Sequence, residues 1–88
     1  MINNNTIKHI TETASLYNEF YLDRYECQDD FDDKFEESIE DFESIEELLE
    51  AFMNQAECFA TVIRMHNEEK EAHFTFKDGE INFDVYNS

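Results

Sequence analysis

Acidic side chains crowd residues 29–50, where "DDFDDKFEESIEDFESIEELLE" keeps an aromatic or aliphatic residue at almost every third or fourth position. Carboxylates in such numbers could act as general acids or bases, bind divalent cations, or present negative charge to a basic partner. Residues 23–50 contain fourteen acidic residues against Arg24 and Lys34, a net charge of −12. The arrangement of this charge therefore decides which chemistry is open to the chain.

Catalysis and tight metal binding have little support in the residue pattern. Each histidine has a structural explanation, and we expect His73 to pair with Asp84 across a hairpin. The acidic run lacks the glycine that an EF-hand calcium loop needs at its sixth position. The one glycine of the chain lies at a turn, so it cannot form a phosphate-binding loop. We predict a protein that is not an enzyme and needs no metal or cofactor.

Length and composition favour one compact acidic domain over residues 1–88, because a chain this short can form only one small core. A formal net charge of −17 favours disorder, but nine Phe and four Tyr make the chain 15% aromatic. Disordered acidic segments are usually poor in aromatic residues. Six Lys and Arg residues are too few for direct binding to nucleic acid or anionic membranes. The start of the chain has no secretory pattern, so we expect a cytoplasmic protein.

The two cysteines are expected to be free, half-buried thiols in a reducing compartment. Cys27 and Cys58 lack the CxxC spacing and the nearby histidines of metal sites. A disulfide between them is the alternative, and the sequence alone does not place them close enough in space to decide.

Apolar residues at helical spacing predict three helices before residue 58. The first has Thr11 or Thr13 as its N-cap and ends near residues 26–28. Its apolar stripe consists of Ile10, Ala14, Tyr17, Tyr21 and Tyr25. The second is capped by Asp29 or Asp30 and presents Phe31, Phe35, Ile39 and Phe42.

The third helix is predicted from a capping box in which Ser44 and Glu47 occupy the S-x-x-E positions. The residues expected to be buried on it are Ile45, Leu48, Leu49, Phe52 and Met53. A helix start at this point predicts a bend after the second helix.

From residue 58 onwards the apolar residues alternate with polar ones, which predicts three strands. Asp78-Gly79 separates the last two, and this dipeptide favours a type I′ turn with positive φ at both positions. A two-residue turn sets the register: Lys77 opposite Glu80, Phe76 opposite Ile81, Phe74 opposite Phe83, His73 opposite Asp84 and Ala72 opposite Val85. The predicted fold is α+β, with about three N-terminal helices packed on one face of a C-terminal three-stranded antiparallel meander.

One continuous helix over residues 29–43 would concentrate the acids on about half of its circumference. Asp29, Asp33, Glu36 and Glu40 would form a column of like charge, and each contact would cost a few tenths of a kcal/mol. At a rise of about 1.5 Å per residue, residues 23–50 carry roughly one negative charge per 3 Å, against about 3.4 Å along a DNA strand. A surface of this density can compete for the basic grooves of nucleic-acid enzymes.

In size, charge and α+β build the chain resembles the small acidic bacteriophage proteins that mimic DNA. This class includes anti-CRISPR proteins, anti-restriction proteins and the uracil-DNA glycosylase inhibitor, and its members share a charge strategy instead of a motif. The resemblance implies a stoichiometric inhibitor in the bacterial host cytoplasm. Its partner would be a basic nucleic-acid-binding protein such as a Cas effector or a restriction nuclease.

The predicted partner-binding residues are the acids that would stand in for phosphates: Asp29, Asp30, Asp32, Asp33, Glu36, Glu37, Glu40, Asp41, Glu43, Glu46, Glu47 and Glu50. The alternative function is an immunity protein or antitoxin that neutralises one cognate toxin through a specific acidic and aromatic interface. A plain acidic surface without inhibitory function is the third interpretation. A free sheet edge would also offer a route to a homodimer.

Overall fold

A computed structural model of the protein describes residues 4–33, 38–54 and 59–87. Helices and strands alternate along these ranges: α1 (Asn4–Ala14), β1 (Glu19–Tyr25), α2 (Gln28–Asp32), β2 (Ser38–Phe42), α3 (Ile45–Asn54), β3 (Ala60–His66), β4 (Lys70–Lys77) and β5 (Glu80–Asn87). Within the described ranges, every helix is too short or too polar to cross a membrane.

The strands form one antiparallel sheet in the order β2-β1-β3-β4-β5. The predicted fold is therefore wrong: the sheet has five strands instead of three, and the helices are spread through the chain instead of all preceding the sheet. The last three strands do follow one another as a meander. The two additional strands, β1 and β2, come from sequence that was predicted to be helical.

The second half of the predicted first helix is strand β1. Tyr21 and Tyr25 are four residues apart, a spacing that places two side chains on one face in a strand as well as in a helix. Phe20 and Leu22 alternate with these tyrosines and lie in the main core on the opposite face of the sheet. Side chains that alternate between two faces in this way require a strand, whose period is two residues. Aromatic residues also favour strands. The spacing of four was thus ambiguous, and pairing with β3 decided it.

The first helix itself lies earlier than predicted. α1 begins at Asn4, so Thr11 is inside the helix, where its hydroxyl donates to the Ile7 carbonyl at 2.9 Å. Thr11 and Thr13 are therefore not N-caps. Ile10 and Ala14 are buried, as the predicted stripe required.

The predicted second helix is also wrong. α2 spans five residues and ends at Asp32, its N-cap is Cys27 instead of Asp29 or Asp30, and Ile39 and Phe42 lie in strand β2. A longer helix would have stacked like charges at i, i+3 and i+4. Residues 38–42 instead pair with β1 along one side of their backbone, without that stacking. Phe35 lies outside the described residues.

The third helix is confirmed. α3 begins at Ile45, and the Glu47 N–H donates to the Ser44 Oγ at 3.3 Å, as the capping box predicts. Ile45, Leu48 and Phe52 are buried, but Met53 is exposed, contrary to its predicted place in the core.

The Asp78-Gly79 hairpin is confirmed with its register. Asp78 has φ 54° and Gly79 has φ 77°, the positive values that a type I′ turn needs. Lys77 lies opposite Glu80 and Phe74 opposite Phe83. A two-residue turn leaves no freedom in the register, which is why local sequence predicted this part correctly.

The two faces of the sheet differ. On the face we call the covered face, α1 and α3 pack over a core formed by Ile10, Ala14, Tyr17, Phe20, Leu22, Ile45, Leu48, Phe52, Ile63, Met65, Ala72 and Phe74. The other, which we call the open face, has a small cluster at one end, where Phe31 of α2 packs on Tyr25 and Phe59. Cys27 is free and exposed instead of half-buried, and Cys58 lies outside the described residues.

Candidate partner-binding surface

Three consecutive elements carry the predicted partner-binding acids around one edge of the sheet. Strand β2 is that edge, α3 packs against β1 and β2 on the covered face, and α2 packs against β1 on the open face. We call this surface the acidic edge and define it by the described members of the predicted set: Asp29, Asp30, Asp32, Asp33, Glu40, Asp41, Glu43, Glu46, Glu47 and Glu50. Glu36 and Glu37 lie outside the described residues.

The charge on the acidic edge is brought together by the tertiary fold and not by one helix. The predicted column of Asp29, Asp33, Glu36 and Glu40 does not form, because α2 ends at Asp32 and Glu40 lies in a strand. Glu40 and Asp41 instead point to opposite faces of β2, as neighbouring strand residues must. The acids therefore wrap around the edge instead of lining one side of a rod.

Most of these carboxylates face solvent. Eight of the ten described members are exposed: Asp29, Asp32, Asp33, Asp41, Glu43, Glu46, Glu47 and Glu50. Glu40, one of the two members that are partly buried, forms an ion pair with Arg24 on the neighbouring strand. Within the described ranges, Lys8 and Arg64 pair with acids elsewhere, and Lys77 lies over aromatic rings. The protein thus leaves most of the negative charge of this edge available to a partner.

Helix termini offset part of the repulsion within the acidic edge. Asp29 and Asp30 occupy the first turn of α2, and Glu46 and Glu47 the first turn of α3. Carboxylates at these positions interact favourably with the free N–H groups and the positive end of the helix dipole. The acids that begin each helix therefore cost the fold less than their number suggests.

An exposed apolar side chain lies within the acidic edge. Ile39 of β2 is 53% exposed and lies opposite Asp23, on the open face with Asp41. An exposed isoleucine does not contribute to the solvation of an acidic surface. It provides a small apolar contact point between carboxylates.

The open face carries a second constellation, centred on Arg64 of β3. The Arg64 Nη2 donates a hydrogen bond to Asp23 Oδ1 at 3.1 Å, and the Arg64 Nε lies 2.7 Å from Asp23 Oδ2 in the same ion pair. Asp23 is 1% exposed. The guanidinium also lies 5.5 Å from the centre of the Tyr21 ring. This pair joins β1 to β3 by side chains as well as backbone.

Two histidines share one carboxylate beside this pair. The Glu71 Oε1 lies 2.7 Å from His73 Nε2 and 3.2 Å from His66 Nε2. The hydrogen bond from His73 is the main reason that the pKa of Glu71 is lowered, and the charges of His66, His73 and Arg64 act in the same direction. His73 faces Asp84 in the register as predicted, but its ring nitrogen contacts Glu71. We call Asp23, Arg64, His66, Glu71 and His73 the polar network.

Sequence reasoning missed the polar network because its members are far apart in the chain. Asp23 and Arg64 are separated by 41 residues, and the strand that carries Asp23 was predicted to be a helix. The one available signal was the alternation of Phe20 and Leu22 with polar or amphipathic neighbours in "EFYLDRY".

The polar network holds its charges internally, since Arg64 binds Asp23 and both histidines contact Glu71. In the described part of the chain, no group of three His, Cys, Asp or Glu side chains is arranged to hold a metal ion. Comparisons with family models, curated proteins and solved structures found no match. The acidic edge is therefore the surface on which we base the function.

Proposed function

We propose that the protein is an inhibitor that occupies the basic groove of a nucleic-acid-binding protein with its acidic edge. Lys and Arg side chains that otherwise contact phosphates would bind the exposed carboxylates of α2, β2 and α3. The observation that supports this best is the set of eight exposed acids around one sheet edge.

The size of the domain suits this role. Its largest dimension is 31 Å, which corresponds to roughly nine base-pair steps of about 3.4 Å. This length is shorter than the path of about 42 Å that one continuous helix over residues 23–50 would span at about 1.5 Å per residue. A compact acidic edge of this length would fill a groove built for less than one turn of duplex, in the cytoplasm of a bacterial host.

Displacement of DNA tests the proposal. A Cas effector and a restriction nuclease would each be loaded with labelled duplex, and the protein would be titrated in at several salt concentrations. We expect displacement at one of these targets, with an affinity that falls as salt rises, because each phosphate-like contact releases counterions when it forms.

Charge reversal identifies the surface. Asp32→Lys with Asp33→Lys changes the charge by four units at the end of α2, where lysine is compatible with the helix dipole. The matched control is Glu68→Lys with Glu69→Lys, the same charge change at the exposed turn between β3 and β4. The proposal requires the first variant to lose affinity by roughly a hundredfold or more and the control to lose much less. Equal losses in both, or none in either, would contradict it.

A second function is favoured by Ile39, whose exposed side chain lies among the acids. An immunity protein or antitoxin would use such an apolar anchor for a specific contact, while the acids accelerate encounter. Under this alternative, Ile39→Ala abolishes binding to the cognate toxin, whereas the double reversal of Asp32 and Asp33 mainly slows association. Under DNA mimicry the double reversal of Asp32 and Asp33 weakens binding more than Ile39→Ala does.

A further inference from the structure

The second edge of the sheet, strand β5, is long and apolar. Every residue of β5 is exposed. On the covered face it carries Ile81, Phe83 and Val85, which are 42%, 39% and 48% exposed. Phe83 packs on Phe74 and on His9 of α1, but this contact leaves the outer part of the strand uncovered. An edge of this kind is a ready template for pairing with another strand.

The free backbone groups of this edge belong to the apolar residues. The Asn67 N–H donates to the Lys70 carbonyl, so Lys70 points its peptide groups at β3. Because peptide groups alternate in direction along a strand, the next set on β4 points its N–H and C=O groups at β5: Glu71, His73, Thr75 and Lys77. Their partners are Tyr86, Asp84, Asn82 and Glu80. The N–H and C=O groups of Ile81, Phe83 and Val85 therefore point outward.

We infer that β5 pairs with β5 of a second copy of this chain, in an antiparallel register centred on Phe83. In this register Phe83 lies opposite Phe83 of the partner copy, and Ile81 lies opposite Val85. These are the residues with outward peptide groups, so the three pairs exchange roughly six backbone hydrogen bonds. Their side chains also meet on one face and cover one another across the two-fold axis.

The acidic residues of β5 select this register. With Phe83 at the centre, Asp84 lies opposite Asn82 and Glu80 lies opposite Tyr86. If the two-fold axis moves by one residue toward the hairpin, onto Asn82, Glu80 lies opposite Asp84. If it moves by one residue the other way, Asp84 lies opposite Asp84 of the partner copy. Like charges directly opposite each other destabilise a strand pair. Of these three registers, only the one centred on Phe83 avoids such pairs.

The distribution of charge permits a second copy as the occupant that this self-complementary pairing favours. Two chains of net charge −17 repel each other, but β2 and β5 are opposite edges of the sheet. Pairing at β5 gives a ten-stranded sheet whose two acidic edges are about 43 Å apart, at about 4.8 Å per strand. This separation is several times the Debye length of about 8 Å at physiological salt. The inference is independent of the proposed function, because the acidic edges stay free in the dimer.

Mass in solution tests the dimer. We expect sedimentation to give twice the chain mass of 10.6 kDa, with an association that strengthens as salt rises because salt screens the repulsion. This salt dependence is opposite to that of DNA mimicry, so the two proposals fail separately. A wild-type protein that stays monomeric at high concentration and high salt would overturn the dimer.

Variants locate the interface. Val85→Pro removes an outward N–H from each copy without breaking the β4–β5 ladder, and we expect the dissociation constant to rise roughly ten- to hundredfold. Val85→Thr keeps that donor at nearly the same volume and should dimerise like the wild type. Ile39→Lys alters the opposite edge and should have no effect. A dimer that survives Val85→Pro but dissociates with Ile39→Lys would overturn the assignment.

Cysteine cross-linking tests the register without relying on a destabilised variant. In a Cys27→Ser, Cys58→Ser background, Phe83→Cys should form a disulfide with the same residue of the second copy, because the two residues 83 face each other across the two-fold axis. Ile81→Cys should not, because it faces residue 85 of the partner. Cross-linking at residue 81 in place of residue 83 would contradict the register.

Discussion

Two edges bound the same sheet, and they differ in how they meet solvent. β2 has five residues, belongs to the acidic edge and carries Glu40 and Asp41. β5 has eight residues, with an exposed apolar row on one face. β2 carries two adjacent acids within a larger acidic surface, whereas the two acids of β5, Glu80 and Asp84, lie on the face opposite its apolar row. We therefore propose charged partners for one edge and a strand of a second copy for the other.

A large effect is expected in the central strands that hold both edges in place. Asp23→Ala leaves the Arg64 guanidinium without its buried partner, and we expect a loss of about 3 kcal/mol in the free energy of unfolding. Arg24→Gln breaks the more exposed pair with Glu40 and should cost about 1 kcal/mol or less. Urea denaturation measures both.

A double replacement separates the charge of Asp23 from its packing. Asp23→Leu with Arg64→Met removes both ionic groups, and an apolar pair of similar volume should recover most of the lost stability. If the double variant is as unstable as Asp23→Ala, the loss is not caused by the unpaired charge.

The next prediction compares a strand inside the sheet with the apolar edge. Phe74 of β4 is 1% exposed, whereas Phe83 lies directly opposite on β5 and is far more accessible. Phe74→Ala should cost about 3–5 kcal/mol, because it leaves a cavity in the core. Phe83→Ala should cost roughly 1 kcal/mol in the monomer. Similar losses from thermal unfolding of the two variants would show that β5 is part of the core and not a free edge.

The hairpin gives a smaller effect that is confined to the apolar edge. Gly79 has φ +77° and open space around the position of a Cβ, so Gly79→Ala meets backbone strain without a steric clash. We expect a loss of about 1 kcal/mol. Hydrogen exchange should accelerate mainly in β5, which is the last of the described strands in the sheet and pairs with β4. Equal acceleration in β1 and β2 would contradict an independent edge.

The smallest effect is the pH dependence of the polar network. The pKa of Glu71 is lowered in the folded protein from its usual 4.5, so the unfolded chain binds more protons in that range. The contribution of Glu71 is therefore present above pH 4.5 and is lost as the pH falls through its folded pKa. Glu71→Gln should be less stable than the wild type near neutral pH, and the difference should disappear in acid. A difference that persists in acid would contradict this explanation.

Local sequence patterns predicted the elements whose signals are local. The Asp78-Gly79 turn determines its own register, and the Ser44 capping box marks the start of α3. Helical periodicity failed where residues lie four apart, as Tyr21 and Tyr25 do. Of the predicted site, the exposure of most acids could be expected from their charge, but their placement around β2 could not.

The sequence by itself determined the net charge, its concentration between residues 23 and 50, and the final hairpin, because these depend on composition and on neighbouring residues. Only the tertiary structure decided that residues 19–25 and 38–42 are strands, since their backbone groups find partners that are distant in the chain. The same pairing brings Asp23 to Arg64 and wraps the acids around one edge. Both outcomes depend on hydrogen bonds between strands, which no local pattern specifies.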